Sequence, residues 1–511
     1  MNAVDWGIFV AYLAGMIGLS LWLAKRQKTA DDYYVGGRNL SWWAVGISIV
    51  ATQSSAISFV SIPAFVAVRE GGGLSWLQYE LGVPLAMLFL LLVLIPRLRE
   101  KKLVSVYEFL RTRFGVGTGK TLAGVFLLSR GLATAVGVYA TGLVLAPMLQ
   151  WPVWAAILLI GVTAVIYDAI GGLKAVVVSD VIQMGLIFGG VAMGIALALG
   201  EVGGWGAAWA ALEAERKTAA DWSSGVGDTD GVPFWAFLVG GLFLYISYYG
   251  TDQSQVQRLL GTKSVKEAQK AVLLGGSLRL PLTLMYVGLG VALAALLQES
   301  AIFQGQMEGQ KPDLLVPVFI LEFVPTGLKG LLLAATVAAA MSSLDSALNA
   351  LSAVTVKDFL SEGDGGTPLW RERLVTIAWG TAVTLMALGA GSLAKTVIEA
   401  INKVGSAFYG PVLVAFLLGL GRSHVKGIAM SWGVVAGVGL NLALWLLQAP
   451  LHWMWWNLLG AAVAWLVAEL LSRKADAEGE TTLGLYWNRP AVVILSAVFL
   501  VTLALVLGIR A

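Results

Sequence analysis

Cysteine is absent from the 511 residues. Disulfides, thiolate metal sites and a cysteine nucleophile are excluded with it. Histidine is nearly absent: His424 and His452 stand alone, and no H-E-x-x-H pattern occurs. Charged residues make up only 13% of the chain, where a soluble domain carries about 25%. The longest loops are too short for a nucleotide-binding fold, and G-x-x-x-x-G-K-[ST] is missing, which argues against an ATP-driven pump. What the chain has instead is 58% apolar residues and a mean hydropathy of +0.79. A cytosolic enzyme, a nucleic-acid binder and a disordered chain are excluded together. The net charge of +3 says little about partners.

One membrane helix takes about 20 apolar residues. The sequence repeats that length about 14 times, with 13 as the alternative. The spans lie near 4–24, 40–67, 74–96, 121–149, 151–171, 175–200, 233–254, 270–297, 331–353, 374–394, 398–420, 427–448, 453–472 and 491–509. The expected fold is an all-α polytopic membrane protein. The first apolar segment lacks an A-x-A-like cleavage site and reads as a retained helix. Pro312 to Pro325 reads as a loop helix outside the membrane. Lys and Arg crowd alternate loops: Lys25, Arg26, Lys28 and Arg38, then 97–120, Lys174 and 258–270. The other side holds Arg69, Arg216, Lys217, Lys311, Lys329 and Arg510. The positive-inside rule therefore puts both termini outside, in a plasma (inner) membrane. With no soluble domain attached, energy comes from an ion gradient, or transport is passive.

Polar residues inside spans are costly and point to function. The first cluster is Ala51-Thr52-Gln53-Ser54-Ser55-Ala56-Ile57-Ser58, in the middle of the second span. A broken helix there frees backbone carbonyls, which coordinate Na+. In an intact helix the same hydroxyls serve as packing glue. The second cluster is Ala339-Ala340-Met341-Ser342-Ser343-Leu344-Asp345-Ser346, with Asn349 one turn on. Ser342, Asp345 and Ser346 share one helix face, and hard cations take oxygen ligands. An interhelical hydrogen-bond patch is the weaker reading, because an Asp at that depth is expensive.

The third cluster is Tyr167-Asp168-Ala169-Ile170-Gly171-Gly172-Leu173-Lys174-Ala175, followed by Ser179, Asp180 and Gln183. Gly-Gly between two spans makes a tight inside turn. Asp180 is either a cation ligand or a partner for inside arginines, at a depth that water still reaches. Tyr245, Tyr248 and Tyr249 beside Gly250-Thr251-Asp252-Gln253 form a core or a cavity wall. Arg279 either snorkels or binds an anion. Glu80, with Gln78 and Tyr79, lies near the outer end of its span and reads as wet. Arg130 is one basic residue in or near a span, with no assigned role. The 20 Trp are belt anchors or lipid-facing packing.

At these residues the chain resembles the sodium:solute symporter family. Its relatives include sodium/glucose cotransporters, sodium/proline and sialic acid symporters, and iodide, vitamin and monocarboxylate carriers. The likeness runs from about Asp31 to Leu420. Four motifs carry it in order: Asp32-Tyr33-Tyr34-Val35-Gly36-Gly37-Arg38; Gly171-Gly172-Leu173-Lys174-Ala175-Val176 with Ser179, Asp180 and Gln183; Gly250-Thr251-Asp252-Gln253 with Val256-Gln257-Arg258; and Met341-Ser342-Ser343-Leu344-Asp345-Ser346-Ala347-Leu348-Asn349.

The resemblance implies a LeuT-like core of two inverted five-helix repeats around a midplane site. A peripheral helix and inside loop over 1–39 would precede the repeats at 40–200 and 233–420. An outside loop at 201–232 would join them, and peripheral helices would fill 421–511. Sodium would be held by backbone carbonyls of Ala51, Ser54 and Ala339 and the hydroxyls of Ser342 and Ser343. A second cation site would take Asp180, Ser342, Asp345 and Ser346, although other members have a small hydroxyl residue where Asp345 stands. The substrate would meet Gln53, Ser58, Glu80, Tyr245, Tyr248, Arg279 and either Asn402 or Lys403, with Tyr248 as inner gate. Ser58 replaces a longer polar residue of sugar carriers and Tyr245 replaces an amide, which weakens a hexose. Residues 51–56 and Gly410-Pro411-Val412-Leu413 look closer to the monocarboxylate, iodide and vitamin branch.

The expected function is Na+-coupled symport of a small polar solute by alternating access, either a monocarboxylate-like anion or a sugar or polyol. Expected partners are Na+, the solute and the lipid bilayer, with no other cofactor, no protein partner and no nucleic acid. A passive cation channel and a proton-coupled symporter are the alternatives. A membrane sensor is disfavoured because no signalling domain follows the last span. An enzyme is disfavoured because no metal cluster or nucleophile–base pair is visible.

Overall fold

The structure is a computed structural model describing residues 1–25, 27–227, 231–360, 368–390, 397–421, 424–472 and 484–509, with side chains from 403 onward in the segment that begins at 397. Asn402, one expected solute contact, has its side chain outside the described residues. Among the described residues the chain is helical, with no β-strand. Its principal helices are α1 (Ala3–Ala24), α2 (Ala30–Val35), α3 (Trp42–Gln53), α4 (Ala56–Ala67), α5 (Leu74–Glu100), α6 (Val116–Leu149) and α7 (Val153–Glu201). They continue as α8 (Ala236–Gly250), α9 (Gln253–Leu260), α10 (Val265–Glu299), α11 (Leu328–Val354), α12 (Leu369–Gly389), α13 (Val397–Gly421), α14 (Gly427–Leu446), α15 (Trp455–Leu471) and α16 (Arg489–Gly508). Among the described residues, nine helices are long and apolar enough to cross a membrane, and the bent pair α3–α4 makes a tenth span.

Length and local backbone explain how these helices relate to the expected spans. α7 has 49 residues, about 73 Å at 1.5 Å per residue. That is more than twice the roughly 30 Å of hydrocarbon. Gly172 divides it with φ +55 and ψ −173, a conformation that only glycine adopts readily. A Cβ there would stand 2.7 Å from the Tyr33 carbonyl oxygen. The Gly-Gly turn expected between two spans is this break. The loop helix expected after Pro312 is a short helix over Leu315–Phe323.

Two helices are interrupted in mid-course. α3 stops at Gln53 and α4 starts at Ala56, bent by 59°. Ser55 caps the restart by accepting from the Ser58 amide, satisfying one of the amides a helix start leaves unpaired. α8 stops at Gly250, and Asp252 caps α9 by accepting from the Ser254 amide at 2.9 Å. Both breaks pack near α11, the most enclosed span: 89% of its apolar window is buried, against 22% for α1 and for α16. α11 therefore runs through the centre of the bundle, and α1 and α16 lie at its edge.

Candidate functional site

The break in α3 leaves backbone oxygens without their helical amides. Ser55 N bonds Gln53 O instead of continuing the ladder, so the carbonyls of Ala51 and Thr52 lose their usual partners. Helix α11 supplies replacements. Ser342 Oγ donates to Ala51 O at 2.9 Å and to Ala339 O at 3.1 Å. Ser343 Oγ donates to Thr52 O at 2.7 Å. Four of the five expected sodium ligands thus belong to one junction of broken α3 with α11, and Ser54 sits buried at the break itself. The Thr52 carbonyl, which sequence reasoning omitted, belongs to the same junction.

Behind this junction lies Arg258, fully buried on α9. Its Nη1 donates to Ser48 O at 2.7 Å, to the hydroxyls of Ser48 and Thr52, and to Asp180 Oδ2 at 3.2 Å. Its Nη2 donates to Ser254 O at 2.6 Å and to Ser346 Oγ at 2.7 Å. One guanidinium therefore ties α3, α7, α9 and α11 together. Asp180 is buried beyond the reach of bulk water, and of its two expected roles the geometry displays the arginine partner. Two residues of the expected second cation set, Asp180 and Ser346, are engaged by Arg258. Asp345 is buried with both carboxylate oxygens unpartnered. Removing one member of such a buried pair strands the other charge in low dielectric.

On the other side of α11 is a cavity of about 210 Å³. Gln53, Ser58, Tyr245, Tyr248 and Arg279 line it, as expected for solute contacts, and Ser343 reaches it from the junction. Glu80 does not line it. Arg279 holds Glu80 through Nε at 3.0 and 3.1 Å and through Nη2 at 3.0 Å, and Thr283 adds a bond at 2.9 Å. Arg279 therefore does not snorkel, and Glu80 is not wet: it is 1% exposed. Tyr248 accepts from Gln255 at 2.9 Å and packs 5.9 Å from the Tyr409 ring.

Sequence reasoning missed Arg130, which also lines the cavity. It pairs with Asp252 at the α8–α9 break, donates to the Tyr409 hydroxyl at 3.1 Å and lies 5.6 Å over the Tyr248 ring. Its Nε is buried without a partner, as are Trp76 Nε1 and Gln53 Oε1 on the same cavity wall. The general cost of an ionisable residue inside a span was the signal that could have found it.

Interrupted helices flanking a buried polar cavity are the architecture of a secondary transporter. A model of the sodium:solute symporter family matches residues 33–437, and the chain belongs to that family. It is 29% identical to the human sodium/iodide cotransporter over 87% of this chain and 69% of that protein. It is 29% identical to the sodium/sialic acid symporter of Proteus mirabilis, covering 86% of this chain and 89% of the relative. It is 27% identical to the mouse sodium-coupled monocarboxylate transporter 2, covering 85% and 70%. A solved, substrate-bound, outward-open Na+-coupled sialic acid symporter superposes with a TM-score of 0.81 at 26% identity, covering 94% of this chain and all of that one. The fold is accordingly a LeuT-like multi-pass membrane bundle.

Proposed function

We propose that this chain imports a small monocarboxylate-like anion together with Na+, by alternating access around the cavity beside α11. The observation that carries the coupling is the meeting of broken α3 with the α11 hydroxyls. Sodium would take the carbonyls of Ala51, Ser54 and Ala339 and the oxygens of Ser342 and Ser343, whose hydrogens would turn away. That would pull α3 and α11 together, beside the solute wall. Because Ser343 belongs to both, ion and solute would raise each other's affinity reciprocally.

The choice of an anion rests on the cavity wall. Arg130 Nε and Trp76 Nε1 are donors awaiting acceptors, and a buried donor without a partner is costly. A carboxylate would satisfy Arg130 and compete with Asp252 for its charge. Arg279 is already committed to Glu80. A sugar or polyol would engage Gln53 and the Trp76–Tyr79 stack, whose rings lie 4.1 Å apart, but would offer Arg130 Nε only a neutral acceptor where a carboxylate offers a charged one. We also place both termini outside, the two repeats at 40–200 and 233–420, and Tyr248 at the inner end of the cavity.

Uptake in proteoliposomes tests this. An inward Na+ gradient is compared with a K+ control for monocarboxylates, sugars, polyols, sialic acid and proline. The expected result is accumulation of a monocarboxylate only with Na+. Uptake of every class without a Na+ requirement, or uptake driven by a pH gradient instead, would overturn the reading.

A further inference from the structure

The helices after residue 421 are expected at the periphery, yet one short segment among them reaches the solute cavity. It is the connection between α14 and α15, which ends at Met454. Trp453 and Met454 line the cavity beside Trp76 and Tyr79. Both are buried, at 5% and 1% exposure.

A loop is ordinarily a mobile part of a fold, but this one is fastened on three sides. Gly227 N donates to Pro450 O and His452 N to Gly225 O, both at 2.8 Å, around an antiparallel bridge of Val226 with Leu451. Trp455 Nε1 donates to Ser224 O at 2.8 Å. Behind the connection, Asn457 Nδ2 donates to Met454 O and to Ser406 Oγ of α13, each at 3.0 Å. In front, the Met454 backbone lies so close to Gly240 of α8 that a Cβ there has no room. The Trp453 ring packs 6.0 Å from Phe237, Phe237 lies 4.2 Å from Tyr79, and Tyr79 lies 4.1 Å from Trp76. This aromatic run joins the connection to α8 and α5.

The run stands at one end of the cavity. Met454 meets α8 at Gly240, near its start, whereas Arg130 meets Asp252 just past its last residue, Gly250. Gly240 and Gly250 are about 15 Å apart along a helix axis. A carboxylate held by Arg130 would therefore extend its carbon chain toward Trp453 and Met454. The cavity, about 210 Å³, is smaller than the roughly 300–1,000 Å³ of a drug-sized site. Its end wall accordingly bears on how long a solute fits.

We propose that Trp453 and Met454 are specificity-determining residues that close the far end of the cavity and limit the chain length of the acid it admits. The inference rests on the reading of that cavity as the solute site. The test is Na+-driven uptake of acetate, butyrate and hexanoate by proteoliposomes of the wild type, Met454→Ala, Trp453→Phe and Leu451→Ala. Removing the thioether opens the end wall, and one methylene in an apolar pocket discriminates by about tenfold or more. The ratio of kcat/KM for hexanoate to that for acetate should therefore rise by about tenfold or more in Met454→Ala and move the same way in Trp453→Phe. Leu451→Ala, which loosens the same connection without touching the cavity, should keep the wild-type ratio. A wild-type ratio in both cavity variants, or the same change in Leu451→Ala, would overturn the inference and leave the Na+-coupled uptake of acids standing.

A second measurement uses the absence of cysteine. A bulky thiol reagent on Met454→Cys should stop Na+-driven uptake of whichever solute the wild type accumulates among monocarboxylates, sugars, polyols, sialic acid and proline. The same reagent on Leu451→Cys should leave that uptake intact. Met454→Cys that stays unlabelled, or is labelled and still transports, would overturn the inference. If the wild type accumulates a sugar and no acid, the monocarboxylate reading falls and the thiol result decides whether these residues wall the solute site.

Discussion

The two faces of α11 treat polarity in opposite ways. Toward the cavity the helix presents Ala340, Ser343, Leu344 and Ala347, mostly small or apolar. Toward α3 and α7 it presents Ser342, Asp345, Ser346 and Asn349, sealed from solvent. The cavity face leaves donors of its surrounding wall open for a visitor. The other face binds Arg258 into a dense network with Asp180, Ser48, Thr52 and Ser346. Ser343 joins the two sides, donating to the Thr52 carbonyl at 2.7 Å and lining the cavity. The difference teaches that donors left open beside a cavity mark where a ligand arrives, whereas a guanidinium whose two Nη groups are held by four helices marks what must hold still.

The comparison can be broken most forcefully at Arg258. Arg258→Met leaves Asp180 buried and unpaired, and about 3–5 kcal/mol of stability should be lost. Thermal unfolding in detergent measures it, and adding Asp180→Asn should return a large part. A loss under about 1 kcal/mol, as for an exposed pair, would mean the network is not sealed.

The next effect belongs to the junction. Ser342→Ala and Ser343→Ala should raise the Na+ concentration for half-maximal uptake by at least about tenfold, the order seen when groups supporting a metal are lost. Unchanged sodium dependence in both would remove the junction from the ion's path.

Arg130→Ala sharpens the distinction. It removes a charged donor worth about 1.5–3 kcal/mol, so the solute KM should rise by roughly 10- to 100-fold, while Na+ binding measured without solute stays at its wild-type level. A parallel loss of Na+ binding would show that the faces are not separate.

The smallest effect concerns the segment that aims Asp168 and Asp180. Gly172→Ala forces a side chain into a backbone region that costs about 1–3 kcal/mol, and its Cβ meets the Tyr33 carbonyl. A lowered folding yield should follow, measured by size-exclusion profile. Wild-type yield would mean that the break relaxes.

Local chemistry made much of this legible beforehand. The run of hydroxyls at 51–58 fitted a broken helix and an intact one alike, and the structure has the break, while the α11 stripe shows as a three-and-four spacing. The Gly-Gly turn carried its own signal. The Arg258 network did not, since its partners lie 78, 88 and 206–210 residues away and no spacing records such contacts. The pairing of Arg279 with Glu80 across 199 residues was hidden for the same reason. Asp168 stood in a recognised motif, yet its full burial beside Asn349 of α11 is a property of packing alone.

The central claim is that ion and solute occupy opposite faces of α11 and are coupled at Ser342 and Ser343. Its most direct test is monocarboxylate uptake by Ser342→Ala proteoliposomes over a grid of Na+ and solute concentrations. The account predicts a large rise in the Na+ requirement, with the wild-type solute KM restored once Na+ saturates. A solute KM that stays raised at saturating Na+, with the Na+ requirement unmoved, would contradict it.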